Sequence, residues 1–466
     1  MIHLFSHYVP ARLVLLAIVE GLLFLIASVT GIYIYLHVAG SGAVSYGAAD
    51  ELFSQSGLFV VGMLVILGSM GLYQPDLWTN KRSVVLRIAA SFGLAYVLVK
   101  AFAHVELLPF PGPVTTASAL ALALVGSIAL RAAIHEWSKA ATFKAKVLVL
   151  GTGARAMTLH EHAHLNMNHR VVGYVPLQPA RSYVPESLMI DVGPDESLSS
   201  IVEKYGINQI VIAVRDRRGG RLPVDELLKC RARGVEVLEM STFFEREYRQ
   251  ILLESLNPSW MVLGGGFRTD LVSNVVKRQF DLIASLMLLA ITWPIMLVTA
   301  LCIYLESGGP VLFRQERVGK DSRVFSLLKF RSMRNGAERD GEPRWASQND
   351  VRTTRIGRFI RKARIDELPQ VFNVLRGEMS FVGPRPERPF FVDRLSKQIP
   401  YYGLRHSAKP GITGWAQVRY PYGATVDDAV EKLQYDLYYV KNHSLFLDLM
   451  VLIATVEVVL WGKGAR

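Results

Sequence analysis

The chain has 466 residues, enough for roughly three domains, and a hydrophobic content of 51% leaves room for membrane-spanning segments. Its net charge of +12 favours contact with acidic lipid headgroups or phosphates. Nucleic acid is discounted as a partner, because the positive charge lies beside apolar spans and no basic module interleaved with aromatic residues occurs. The two cysteines, Cys230 and Cys302, exclude a disulfide framework and favour a reducing compartment.

Four apolar stretches in the first third of the chain are each close to the roughly 20 residues that cross a bilayer. They cover residues 13–36, 58–73, 84–103 and 114–134. The loops at 37–51 and 104–113 contain no Lys or Arg. The other connections are basic, with Lys81, Arg82, Lys139, Lys144 and Lys146. The positive-inside rule therefore predicts a four-span bundle over residues 1–138 with both ends in the cytoplasm.

Glu20 and Lys100 fall inside these spans. Charges within membrane helices can mark a transport path. One acid and one base near span ends more often pair or extend towards the interface, and we interpret them in that way.

Residues 144–245 have the pattern of a Rossmann-like α/β domain. An apolar strand runs into Gly151-Thr152-Gly153 and then Ala156, a G-x-G-x-x-A turn that opens a helix. A dinucleotide site would use an acid at the end of the second strand, where this chain has Val175-Pro176-Leu177. We therefore expect the fold without a bound NAD.

The helix after this turn contains His160, Glu161 and His164 in the H-E-x-x-H spacing of zinc proteases. A membrane zinc protease is thus a competing class of function. The run is short and polar, and no third ligand stands out downstream, so we interpret these residues as a solvated helix face.

A linker is predicted over residues 246–276, and a long apolar run follows it. Pro294 lies near the middle of this run, where it would kink or break a helix. Basic residues flank both sides: Lys277, Arg278, Arg314, Arg317 and Lys320. A re-entrant helix over 278–305 that bends at Trp293 and Pro294 keeps both flanks in the cytoplasm. A kinked helix that crosses the bilayer is the alternative.

Five motifs follow in order: RQERVG, LLKFRSMR, the acid pair Asp366-Glu367, SFVGPRPE and KPGITGWAQVR. This series resembles the bacterial sugar transferase domain of the monotopic phosphoglycosyl transferases, in their large form with four spans and a CoA-binding-like Rossmann domain. The resemblance implies transfer of a sugar 1-phosphate, in this case a hexose phosphate from a UDP-sugar, to undecaprenyl phosphate with release of UMP. It also implies a covalent aspartyl-phosphosugar intermediate, in the first membrane step of exopolysaccharide or O-antigen synthesis.

The acid pair has a chemical rationale besides the resemblance. A carboxylate can attack phosphorus when nearby cations neutralise the diphosphate, although an acidic pair with arginine neighbours can also be a weak surface ion pair. By resemblance, Asp366 is the nucleophile, Glu367 is its partner, and both hold Mg²⁺ or Mn²⁺. The resemblance also implies a set of substrate-binding residues: Lys329, Arg331, Arg361, Arg385, Gln417, Arg419 and Asp436.

The predicted fold class is a membrane α plus α/β protein. It combines the four-helix transmembrane bundle, the Rossmann-like domain and a mostly helical catalytic domain over residues 277–466 with a re-entrant hairpin. The expected location is the bacterial inner membrane with the catalytic domain facing the cytoplasm, and the lipid bilayer is an expected partner. A homodimer is left open. A catalytically silent scaffold for polysaccharide assembly is the third class of function.

Overall fold

A computed structural model describes most of the chain. The described residues are 2–4, 7–38, 46–73, 81–104, 113–139, 144–163, 169–177, 182–193, 196–214, 222–256, 271–334, 352–420, 423 and 425–461. They form two compact units, one of Met1–Ile2 with Tyr8–Tyr248 and one of His3–His7 with Arg249–Arg466. Two short strands, β1 (Ile2–Leu4) and β2 (His7–Val9), precede the first helix.

Four helices form a bundle in the first unit. They are α1 (Ala11–Val38), α2 (Tyr46–Ser69), α3 (Lys81–His104) and α4 (Pro113–Lys139). By length and composition α1, α3 and α4 could each cross a membrane, whereas α2 contributes a shorter apolar segment, Gln55–Ser69. Helix α2 begins well before the predicted start at residue 58 and ends before 73. The four predicted stretches therefore all correspond to helices, with the second one shifted.

Helix α1 packs against α2 and α4, and α3 packs against the same two neighbours. Phe24 and Leu67 are fully buried in the bundle core. Small residues permit the close approach of α1 and α4: a Cβ at Gly126 would lie 2.6 Å from Leu23, and one at Gly31 would lie 2.9 Å from a carbonyl oxygen of α4. This is the packing expected where apolar helices associate in lipid.

Glu20 is buried in the bundle and paired, as predicted. Its carboxylate accepts hydrogen bonds from Nε and Nη2 of Arg131 at 2.8 Å each, from Ser127 Oγ at 2.8 Å and from the Tyr73 hydroxyl at 2.7 Å. Arg131 also donates to the backbone carbonyl of Leu72 at 2.9 Å. These bonds join α1, α4 and the turn after α2, so the charge serves packing.

The same unit contains a four-stranded parallel sheet in the order β4-β3-β5-β6. Its strands are β3 (Ala145–Leu150), β4 (His169–Val175), β5 (Gln209–Ile212) and β6 (Glu236–Glu239). Its helices are α5 (Ala154–Ala163), α6 (Leu198–Tyr205), α7 (Val224–Ala232) and α8 (Met240–Glu247). Gly151 has a φ of +115° between β3 and α5, a conformation that favours glycine. The predicted parallel α/β arrangement is confirmed.

The second unit begins with α9 (Leu271–Ser307), a 37-residue helix that includes Pro294. It is the fourth described helix that is long and apolar enough to cross a membrane, and only 11% of its apolar span is buried. Ile291, Trp293 and Leu297 are exposed along its middle. The helix is continuous through Pro294, and re-entry remains a prediction.

Two small sheets and six α-helices follow in the part of this unit that the structure describes. Strands β7 (Leu312–Val318) and β8 (Val324–Phe330) form an antiparallel hairpin, and β9 (Ser380–Val382) pairs in parallel with β10 (Gly411–Thr413). The helices are α10 (Arg355–Lys362), α11 (Gln370–Arg376), α12 (Pro389–Gln398), α13 (Trp415–Arg419), α14 (Val426–Asn442) and α15 (Leu445–Trp461).

Part of the predicted linker packs within this second unit. The backbone N–H of Ile251 donates to the carbonyl of Gln434 on α14, and the Trp415 indole N–H donates to the carbonyl of Arg249, both at 3.0 Å. Residues 257–270 of the predicted linker lie outside the described residues.

Candidate active site

The acid pair lies in a short 3₁₀ turn, Ile365–Glu367, between α10 and α11. Helix α10 ends at Lys362, and Arg364 then adopts a left-handed conformation with φ +57° that redirects the chain. Pro369 is the N-cap of α11, directly before its first residue, so its missing N–H removes no hydrogen bond within the helix. The local sequence therefore places two carboxylates on a tight connection between helices, close to strand β8.

Glu367 is held by two cations. Its Oε1 accepts a hydrogen bond from Lys329 Nζ at 2.8 Å, and Nη2 of Arg385 lies 3.6 Å from the same oxygen. Burial opposes the charged form of Glu367, but Lys329, Arg385 and Arg364 together outweigh burial and lower its pKa to about 2. Glu367 is therefore ionised at neutral pH and fixes the positions of both cations.

Asp366 has the opposite environment. Its side chain is 9% exposed, and no hydrogen bond or ion pair joins its carboxylate to any residue that the structure describes. Burial raises the pKa of Asp366, and the charge of Glu367 adds to this effect, while Lys329, Arg361 and Arg364 oppose it. Adjacent carboxylates with opposite pKa shifts are typical of a site where the two groups have different tasks.

Lys329 is positioned by a buried contact between β8 and α11. The side chain of Asn373 is fully buried, accepts a hydrogen bond from the N–H of Leu328 at 3.0 Å, and donates to the carbonyl of Ser326 at 2.8 Å. These bonds fix the register between the strand that carries Lys329 and the helix that follows Glu367.

The other two predicted arginines of this region differ in what they contact. Nη1 of Arg361 approaches Thr353 Oγ1 at 3.4 Å, and its charge acts on Asp366. Arg331 is buried and donates from Nη2 to Oγ and the carbonyl of Ser307 at 2.8 and 3.1 Å, at the end of α9. Arg361 thus belongs to the electrostatic environment of Asp366, whereas the described bonds of Arg331 secure the membrane helix.

The remaining predicted residues lie further along the chain and show no described bond to the acid pair. Arg419 stacks on Trp415 with its guanidinium 4.6 Å from the ring centroid. Gln417 donates weakly to the carbonyl of Ile412 at 3.4 Å. Asp436 is buried and accepts hydrogen bonds from Arg405 at 2.7 and 3.1 Å.

Sequence reasoning missed Arg405 and Asn373. Each acts through a contact with a residue 31 to 47 positions away, namely Asp436 for Arg405 and Ser326 and Leu328 for Asn373. No short motif contains both partners of such a pair. The signal that could have found Arg405 is the buried acid at Asp436, which requires a cation.

The H-E-x-x-H pattern is only partly described, because His164 lies outside the described residues. His162 Nδ1 lies 2.8 Å from the carbonyl of Thr158, and His160 Nδ1 lies 3.4 Å from the Tyr174 hydroxyl. Among the described residues, no group of three or more His, Cys, Asp or Glu side chains is placed to hold a metal ion.

The acid pair can hold a hard divalent cation with fewer than three protein ligands. Mg²⁺ is commonly bound by one or two carboxylates together with substrate phosphates and water. Asp366 offers oxygens that no described residue occupies, while one oxygen of Glu367 is already bonded to Lys329. The residues present therefore fit a cation that is completed by a substrate.

Comparison with known proteins points to one family. Residues 272–462 match the family model for bacterial sugar transferases. The chain is 42% identical over 240 residues to the UDP-N-acetylgalactosamine-undecaprenyl-phosphate N-acetylgalactosaminephosphotransferase of Aeromonas hydrophila, covering 52% of this chain and 56% of that protein. It is 33% identical over 327 residues to the undecaprenyl-phosphate glucose phosphotransferase of Komagataeibacter xylinus, covering 69% and 60%.

A third similar protein is the UDP-glucose:undecaprenyl-phosphate glucose-1-phosphate transferase of Caulobacter vibrioides. The identity is 42% over 216 residues, covering 45% of this chain and 80% of that protein. The matched part of the chain thus spans a little over half the length of the first two relatives and most of the third.

Proposed function

Because the chain belongs to the bacterial sugar transferase family, we propose that it transfers a hexose 1-phosphate from a UDP-sugar to undecaprenyl phosphate and releases UMP. The observation that carries this proposal is the acid pair with opposite pKa shifts beside Lys329 and Arg385. The similar proteins are named for N-acetylgalactosamine or for glucose, and for this reason the proposal commits to a hexose only.

The first step is attack by a carboxylate oxygen of Asp366 on the phosphorus next to the sugar. The new oxygen–phosphorus bond replaces the bond to the bridging oxygen of the diphosphate, and UMP leaves with that oxygen. Asp366 is suited to this role because its carboxylate makes no bond to another described residue. Covalent catalysis of this kind divides one difficult displacement into two easier ones.

The second step returns Asp366 to its starting form. A phosphate oxygen of undecaprenyl phosphate attacks the same phosphorus, the bond to Asp366 breaks, and the sugar diphosphate lipid is released. Lys329 and Arg385 stabilise negative charge that develops on the transferred group. A divalent cation held by Asp366 and Glu367, Mg²⁺ or Mn²⁺, would supply further neutralisation of the diphosphate.

The covalent step predicts a burst of UMP without an acceptor. Purified protein mixed with each UDP-sugar of a panel, in the absence of undecaprenyl phosphate, should release about one UMP per active site with its proper sugar. The variant Asp366→Asn should release none, and the control Asp393→Asn, at an exposed acid on α12, should behave as the unchanged protein. UMP release that requires both substrates together would contradict the covalent intermediate.

We propose that the catalytic domain lies on one side of the bilayer, facing the cytoplasm. The two ends of α9 contact elements that are themselves in contact. At one end Arg278 donates to the carbonyl oxygens of Val374 and Leu375 on α11, at 2.6 and 2.7 Å. At the other end, Ile303 packs with Phe330 of β8.

Helix α11 and strand β8 are themselves joined through Asn373 and Leu328. A straight crossing of roughly 30 Å of hydrocarbon would separate the two ends of α9 into opposite aqueous phases. Because α11 and β8 contact each other, they cannot lie on opposite sides of the bilayer. This supports a helix that turns back near Trp293 and Pro294. The basic residues at both flanks favour the cytoplasmic side.

Paired cysteine labelling tests this topology. In a background without Cys230 and Cys302, Asn274→Cys and Arg323→Cys place exposed thiols before and after the apolar span. Both should resist a membrane-impermeant thiol reagent in intact cells and react after lysis. Labelling of one and not the other in intact cells would show a full crossing.

A further inference from the structure

The turn that carries Arg385 is held at every residue from Gly383 to Glu387. The N–H of Gly383 donates to the Thr413 carbonyl at 2.9 Å, and the remaining four residues each accept at their carbonyl oxygen. The donors to these carbonyls are the N–H of Gly411 at 3.0 Å, Arg405 Nη2 at 3.0 Å, Arg317 Nη1 at 2.9 Å and the N–H of Val318 at 2.9 Å. Two of the four donors are thus guanidinium groups.

Arg405 makes the bond at Arg385 itself. The side chain of Arg405 is almost fully buried, its Nε and Nη2 donate to Asp436 at 3.1 and 2.7 Å, and its Nη1 donates to the Tyr402 hydroxyl at 2.7 Å. All three nitrogen atoms are therefore bonded within the protein. Arg405 and Asp436 are both buried, and their described bonds are to protein groups.

These bonds determine the direction in which the Arg385 side chain points. Pro384 and Pro386 on either side of it lack N–H groups, so the carbonyl bonds determine how each peptide unit is oriented. The Arg385 side chain is 34% exposed and reaches Glu367, with 3.6 Å between Nη2 and Oε1. A rotation of its peptide would move the guanidinium away from the acid pair.

We infer that Arg405, itself held by Asp436 and Tyr402, is a positioning residue that directs Arg385 towards Glu367 and the substrate diphosphate. The inference rests on the proposed function and goes beyond it. It assigns Asp436 an indirect role through Arg405 in place of the substrate contact predicted from the sequence. A guanidinium suits this position because it donates in three directions at once, which an ammonium on a flexible stem does not reproduce.

The test is a double-mutant cycle of Arg405→Lys with Arg385→Ala, measured as kcat/KM for the UDP-sugar. Lysine keeps the positive charge beside Asp436 but cannot also bond the Arg385 carbonyl and Tyr402. A misplacement of about 1 Å in a substrate-binding group can cost about 100-fold in rate, and we expect a loss of this order for Arg405→Lys. In the Arg385→Ala background the same change should lower kcat/KM by less than about 3-fold, because the group to be positioned is gone.

Other outcomes overturn the inference. Full rescue by lysine, or an equal loss in both backgrounds, would mean that Arg405 only stabilises the fold. A fully active Arg385→Ala variant would remove the group that Arg405 is said to position. Failure of the unchanged protein to release UMP with any UDP-sugar is a different result, since it contradicts the proposed function itself.

Two controls keep the test independent of folding. The thermal unfolding midpoint of each variant is measured in the same detergent, and Arg394→Lys, at an exposed position of α12, serves as the matched arginine control. If Arg405→Lys does not fold at the assay temperature, Tyr402→Phe removes a single bond to Arg405. That variant should show the same coupling to Arg385 with a loss of about 3- to 10-fold, and additive losses would overturn the inference.

Discussion

Replacement of Lys329 by methionine should change the pH dependence of activity as well as its rate. Lys329 is the nearer of the two cations on Glu367, at 2.8 Å against 3.6 Å for Arg385. The ordinary pKa of 4.5 and the value of about 2 in the folded protein differ by an amount equivalent to about 3 kcal/mol. Methionine has a similar length and no charge, so it removes the larger share of this stabilisation while it fills the same space.

The sign of the effect follows from the direction of each pKa. A lowered pKa means that the ionised Glu367 contributes stability above about pH 4.5 that is lost as the pH falls towards 2. Loss of more than half of about 3 kcal/mol should raise the Glu367 pKa by at least about 1 unit. The pKa of Asp366, already raised by burial, should rise further, because Lys329 is the strongest of the charges that oppose the increase.

The assay is UMP release as kcat/KM for the UDP-sugar between pH 4 and pH 8. In the proposed mechanism Asp366 attacks in its ionised form, so activity should fall as the pH drops through the apparent pKa of the acid pair. In Lys329→Met this acid limb should move to higher pH by at least about 1 unit. Lys329→Arg keeps a cation and should retain the limb, and Lys362→Met, at an exposed lysine of α10, is the matched charge control.

One result would refute the reasoning. If Lys329→Met loses activity while its acid limb stays within about 0.3 pH units of the unchanged protein, Lys329 does not control the ionisation of the acid pair. Its contribution would then be confined to contact with the substrate.

Three further predictions concern stability, measured by unfolding in detergent. Glu20→Gln should destabilise the bundle by about 3–5 kcal/mol, because it leaves the buried Arg131 without a counter-charge, whereas Glu20→Leu combined with Arg131→Met should recover most of the loss. Asn373→Ala should cost about 1–3 kcal/mol, since the buried Leu328 N–H loses its acceptor. Thr354→Ala should cost about 1 kcal/mol, because the Thr354 hydroxyl accepts the Gly357 N–H at the start of α10, and Thr354→Ser should be close to neutral.

The sequence predicts the elements whose signal is local. Apolar length identified the helices of the bundle, and the turn at Gly151 identified the parallel sheet. The acid pair was found with Lys329 and Arg385 because each residue lies in a recognisable motif, and the structure brings all four together.

What the sequence does not predict depends on contacts between distant positions. The partner of Glu20 is Arg131 on another helix, 111 positions away, whereas the Lys100 ammonium lies over the Tyr96 ring. The predicted limits of α2 differ from the observed ones because the first turns of the helix are less apolar than its core. Composition alone could not extend the predicted helix back to Tyr46. Arg405, the partner of Asp436, was missed for the same reason, because the two residues are far apart in the sequence.

Buried ion pairs recur in this protein where a connection must be held in one place. Glu20 and Arg131 secure the turn at Leu72, and Arg405 and Asp436 secure the turn at Arg385. Such pairs add little net stability compared with apolar residues of similar size, because desolvation offsets most of their attraction. Their effect is geometric, since each guanidinium reaches a carbonyl oxygen while its charge is neutralised. The pair of Glu367 with Lys329 differs because the neighbouring carboxylate of Asp366 has no bond to any described residue, which suits the nucleophilic role proposed for it.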